Sequence, residues 1–179
     1  MTDNPLSPAH DNLDAWNETN GYAELCLVGA ALHVDRERAA AVLALVHDRD
    51  LGDNRARMVW ELIGTVVADG GTPDPILVVA AAQRAGRHGT AHALAALQNY
   101  LMDAFTTVPH PGNLEGYSRA VLEYSYRRSA HRFGDCLRQY ANAGAITDLS
   151  HVLAREPGNL ADLSARARQA EWSPITCEN

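Results

Sequence analysis

Residues Asn113–Tyr140 read NLEGYSRAVLEYSYRRSAHRFGDCLRQY, a stretch without proline and about twice the length of an ordinary globular helix. Val108-Pro109-His110-Pro111-Gly112 ahead of it cannot be helical. Asn113 is a good N-cap, and Glu115 falls in the first turn, where the helix dipole favours an acid. At about 100° per residue, Leu114, Tyr117, Val121 and Tyr124 share one face. Leu122, Tyr126, Ala130, Phe133, Leu137 and Tyr140 share another, rotated by roughly 150°. A helix that changes its buried face halfway along touches two bodies. The first half is expected to dock on the preceding domain, and the second on a hairpin partner or a second copy of the chain.

The chain has 179 residues, 46% of them apolar and 21% charged, a balance that suits a soluble globule. No apolar run approaches the ~20 residues that span a membrane, and the acidic N-terminus lacks a signal peptide's basic and apolar regions, so the cytoplasm is the expected location. Cys26, Cys136 and Cys177 are too few and too scattered for a disulfide scaffold or a zinc ribbon. The 15 basic residues are all arginine, against 22 acids, for a net charge of −7. Without lysine there is neither a Walker A phosphate loop nor a Schiff-base enzyme. The acidic balance also opposes DNA binding by bulk charge.

The pattern is helical throughout, with no alternating strand signature. Residues 1–21 read as a mobile tail, and a helical head follows over 22–107. Ala23–Leu32 is apolar on most sides, and Gly29 there allows a close neighbour. Asp35 caps a helix with Ala39, Val42, Leu43 and Val46 inward. Met58, Val59, Leu62, Ile63, Val66 and Val67 set the register of the next, which Gly70-Gly71 ends. Asp74-Pro75 opens a fourth as N-cap and N1. Thr90 caps a fifth, with Leu94, Leu97, Leu101 and Phe105 inward. The long helix and its hairpin occupy 108–172. Asn142-Ala143-Gly144 reads as the end of the long helix, Ile146–Arg155 as a further piece, and Glu156-Pro157-Gly158 as a break before a last helix capped by Asn159. Residues 173–179 form a C-terminal tail.

The block Ala23–Gly89 resembles the N-terminal domain of the bacterial replicative DNA helicase of the DnaB type. The likeness lies in an AE-x4-G-A-x-L opening helix, then a D-R-D-L loop entering an R-x-x-x-x-W helix. A G-x-P-D-P turn follows, and then a helix closing on R-x-G-x-x-G. Val108-Pro109 with Asn113-Leu114-Glu115-Gly116-Tyr117 is similar to the family's loop and the start of its hairpin. The resemblance covers roughly Ala23–Tyr140 and, more weakly, Pro157–Trp172. It implies a small helical head followed by a hairpin that pairs protomers, a collar that binds primase and loader proteins, and no catalytic residues. Gly52-Asp53 stands where an aromatic often follows the loop, and seven residues remain after Trp172 where a motor would follow. The expectation is a stand-alone module without the ATPase.

Four constellations invite chemistry. His88 and His92 stand at i, i+4, as a helical zinc pair would, but lack the Glu of H-E-x-x-H, and Gly89 weakens the turn, so a turn in the head is the better reading. Asp48, Asp50 and Asp53 crowd one loop without a calcium loop's distal Glu. Arg49 and Arg55 neutralise it, giving a solvated loop with helix caps. Arg127, Arg128, His131 and Arg132, interleaved with Tyr124 and Tyr126, form the densest basic cluster. It reads first as a solvated face, and as a functional patch for an acidic partner surface ahead of a nucleic-acid backbone. Tyr126, Ala130, Phe133, Leu137 and Tyr140 form the candidate interface, large amphipathic rings on a protruding helix being typical anchors. Trp60 belongs to the core.

Together these readings predict an all-α, non-enzymatic interaction module of DNA replication with no cofactor and no metal. Its expected partners are itself, as a homodimer or higher oligomer, a helicase, a primase or a loader, with direct DNA binding disfavoured. The alternative is a small nucleic-acid-binding regulator using Arg127–Arg132.

Overall fold

The computed structural model describes residues 11–86, 90–143 and 146–170, which are all-α. In chain order the helices are α1 (Asp11–Ala31), α2 (Arg36–Leu45), a 3-10 turn (Asp48–Asp50), α3 (Asn54–Ala68), α4 (Pro75–Arg84), α5 (Ala91–Thr107), α6 (Leu114–Ala143) and α7 (Ile146–Gln169). The caps of α2, α4 and α5 lie where the sequence places them. Asp35 accepts from the Arg38 N–H at 2.8 Å, Asp74 from Leu77 at 2.9 Å and Thr90 from Ala93 at 3.2 Å. Each satisfies a backbone donor that the first turn leaves open.

α1 is the axis of the head, packing on α3, α5 and α6, while α4 bridges α3 and α5. Leu27, Val59, Ile63, Leu97 and Leu101 form its buried centre. Trp60 is buried there as expected, its indole N–H donating to the Val46 carbonyl at 2.9 Å. Gly29 supplies the close approach: a Cβ there would overlap the Ala104 carbonyl, whose carbon would lie at 2.9 Å.

Three expectations need correction. α1 begins at Asp11 and runs through the boundary drawn at residue 21, so the second half of the expected tail is helical. α7 runs unbroken through Glu156-Pro157-Gly158, and Asn159 caps nothing. Pro157 and Gly158 are exposed, whereas Val152, Glu156, Leu160 and Leu163 turn inward at helical spacing. The carbonyl that proline leaves without a donor therefore faces water, and packing along the opposite side holds the helix together. On α6, the buried line is Leu114, Ser118, Val121, Leu122 and Ser125, with Tyr117 and Tyr124 at its edge. Leu122 thus belongs to the head-facing half. With the two serines counted, the swing of the buried face narrows to roughly 90°. Gly144, read as the end of the long helix, lies outside the described residues.

Candidate functional site

α7 folds back antiparallel along α6. Tyr140 shares a crevice with Asp148, His151 and Val152, while Ser125 and Ser129, nearer the head, share one with Asn159, Leu163 and Arg166. The hairpin partner expected for the second half of α6 is therefore α7 of the same chain.

The hairpin is fastened to the head by charge. Glu24 of α1 is 0% exposed. Its carboxylate accepts from the backbone N–H of Gly52 at 2.7 Å and of Asp53 at 2.9 Å, and from Arg128 at 3.3 Å. Arg128 of α6 also donates to the Asp50 carbonyl. Gly52 leaves room for this, since a Cβ there would press on the Arg128 guanidinium at 3.3 Å. Asp50, 2% exposed, receives Arg166 of α7 as a two-pronged partner, one prong at 3.2 Å. Arg166 further donates to the Leu45 carbonyl at 2.9 Å and to Asp162 at 3.0 Å. Burial pushes the Arg128 pKa down despite Glu24. Burial also opposes the Arg166 charge, but its hydrogen bonds and charge attraction to Asp50 and Asp162 together outweigh that and raise the pKa. Buried charges persist only when paired and hydrogen-bonded in this way.

The aspartate loop is thus not wholly solvated. Asp53 behaves as read, capping α3 through the Arg55 N–H at 2.6 Å and pairing with the Arg55 guanidinium at 2.8 Å. Asp50 is instead the buried end of a tether to α7. The basic cluster divides as well. Arg128 points inward, Arg127 lies over the Tyr124 ring at 5.8 Å, and His131 contacts Asp135 at 3.1 Å. Arg132 is exposed and has no hydrogen-bond or ion-pair partner among the described residues. His88 lies outside the described residues and His92 is exposed. Among the described residues no group of three or more His, Cys, Asp or Glu side chains is placed to hold a metal ion, and no helix is long and apolar enough to cross a membrane.

Of the candidate interface residues, Tyr126 is 38% exposed, and Ala130, Phe133, Leu137 and Tyr140 are half-buried. Sequence reasoning missed Leu153 on α7, which is 50% exposed. From Tyr126 to Asn142 and from Thr147 to Asp162, no side chain is buried. The outer hairpin is two helices in mutual contact with apolar side chains left partly in water.

No protein-family model matches the chain, and no curated protein matches it either. Its structure is similar to that of the N-terminal domain of DnaB helicase from Mycobacterium tuberculosis, with a TM-score of 0.63 and 26% sequence identity over 78% of this chain and 94% of that one. The chain has the fold of that domain.

Proposed function

We propose that this DnaB N-terminal-like domain is a non-enzymatic interaction module of DNA replication that works by association of its hairpin. The carrying observation is the outer hairpin, where Phe133, Leu137 and Tyr140 stay half-buried and Tyr126 and Leu153 exposed. Aromatic and aliphatic side chains held this way on a rigid helix pair are the usual anchors of a protein interface. The likeness to a helicase domain supports a helicase-related setting. The partners this reading favours are a second copy of the chain, a replicative helicase, a primase or a loader.

The nucleic-acid alternative is weaker, because Arg128 is bound within the fold and His131 is engaged by Asp135. The net charge of −7 opposes it further. Sedimentation of the chain with the same organism's helicase, primase and loader in turn tests the reading. Co-sedimentation with one of them, lost on Tyr126→Asp or Leu153→Asp, is expected. Sedimentation independent of all three, together with steeply salt-dependent DNA affinity that falls in Arg127→Ala, would replace it with the alternative.

A further inference from the structure

We propose that the crevice where the 3-10 turn, α6 and α7 meet binds a terminal phosphate group and so clamps the head to the hairpin. The crevice has a volume of about 230 Å³. Ser125 lines it at 4% exposure, and its hydroxyl has no hydrogen-bond partner among the described residues. Ser129 and Arg132 line it too, equally without hydrogen-bond or ion-pair partners among the described residues.

The charge in the crevice has one sign to spare. Glu156 is neutralised from outside by Arg155 at 2.9 Å. That leaves Arg49, Arg132 and Arg166 facing two carboxylates, Asp50 and Asp162. Arg166 is committed to both of them, and Arg49 reaches Asp162 only at 3.9 Å. The guanidinium donors of Arg132, with the Ser125 and Ser129 hydroxyls, suit a tetrahedral oxyanion, which accepts several donors at once. The depth of Ser125 selects a terminal phosphate over the internal phosphates of a duplex. Inorganic phosphate and the phosphate of a free nucleotide share this chemistry. Because the donors come from α6 and, through Arg49, from the 3-10 turn, occupancy adds a third fastening beside the Glu24 and Asp50 tethers. This inference is independent of the association reading.

Thermal unfolding of the full chain tests it, with inorganic phosphate and adenosine monophosphate each compared with sodium chloride at equal ionic strength. A saturable rise in Tm of about 3 °C is expected. Arg132→Gln, at an exposed position, and Ser129→Ala remove the rise while leaving the ligand-free Tm within about 1 °C. A rise with both probes identifies the phosphate alone as sufficient, and a rise with the nucleotide only identifies a phosphomonoester. No saturable rise with either, or a rise that survives both substitutions, overturns the proposal.

Discussion

The head and the outer hairpin use the same kind of element to opposite ends. In the head, α1, α3 and α5 bury Leu27, Val59, Ile63 and Leu101 completely, and a glycine brings α1 onto α5. In the outer hairpin, α6 and α7 touch each other and bury no side chain. Helices draw most of their stability from tertiary packing, so a pair that packs only on itself is the less stable region and the one with surface to offer. Between them lies a junction held by Glu24, Asp50, Arg128 and Arg166. The two regions therefore differ in the kind of force as well as in the amount of burial.

Breaking the junction should have the largest effect. Glu24→Ala removes the acceptor of two backbone N–H groups and leaves Arg128 without its carboxylate, and should cost about 4 kcal/mol in urea unfolding. A cost under about 1 kcal/mol would mean that the head and hairpin do not depend on this tether. Next is Gly29→Ala, where the new methyl overlaps the Ala104 carbonyl, with an expected loss of about 3 kcal/mol. The same change at Gly134, around which a Cβ meets nothing, should be neutral or stabilising by up to about 1 kcal/mol.

Pro157→Ala sharpens the contrast from the hairpin side. In a continuous α7 it restores a backbone hydrogen bond, and should raise stability by about 1 kcal/mol after allowing for the more flexible unfolded chain. A loss of stability would instead restore the break that the sequence suggests. The smallest effect is acid-dependent. Glu115 is held below its ordinary carboxyl range mainly by its hydrogen bond to Arg38, at 2.6 Å. A depressed folded pKa gives stability that is present above the ordinary value and lost as pH falls through the folded one. Arg38→Gln should flatten the stability profile below about pH 4.5 and lower the plateau at pH 7 only slightly, because the pair is partly exposed.

These two regions were also unequally legible. Caps, turns and apolar registers depend on neighbours a few residues away, so Asp35, Asp74, Thr90 and the faces of α2, α3 and α5 could be read directly. The tethers join Glu24 to Arg128 and Asp50 to Arg166 across more than a hundred positions. No local pattern announces such a pair, and a loop of three aspartates looks solvated until its partner is in view. Ser118 and Ser125 were missed because polar residues were not counted toward the buried face. Ser118 sits there because its hydroxyl donates to the Leu114 carbonyl at 2.8 Å. Pro157 misled for the converse reason, since a local penalty was outweighed by packing on the far side of the helix. The candidate interface was legible as a stripe. Its half-buried state was not, since that depends on where α7 lies.

Light scattering across a range of concentrations, on the chain and on its Phe133→Asp variant, tests the hairpin's role in association most directly. The mass is expected to rise from 19.4 kDa toward at least a dimer in the native chain, and to stay at the monomer value in the variant. A native chain that remains monomeric at every concentration, and also when its organism's helicase is added, would contradict it.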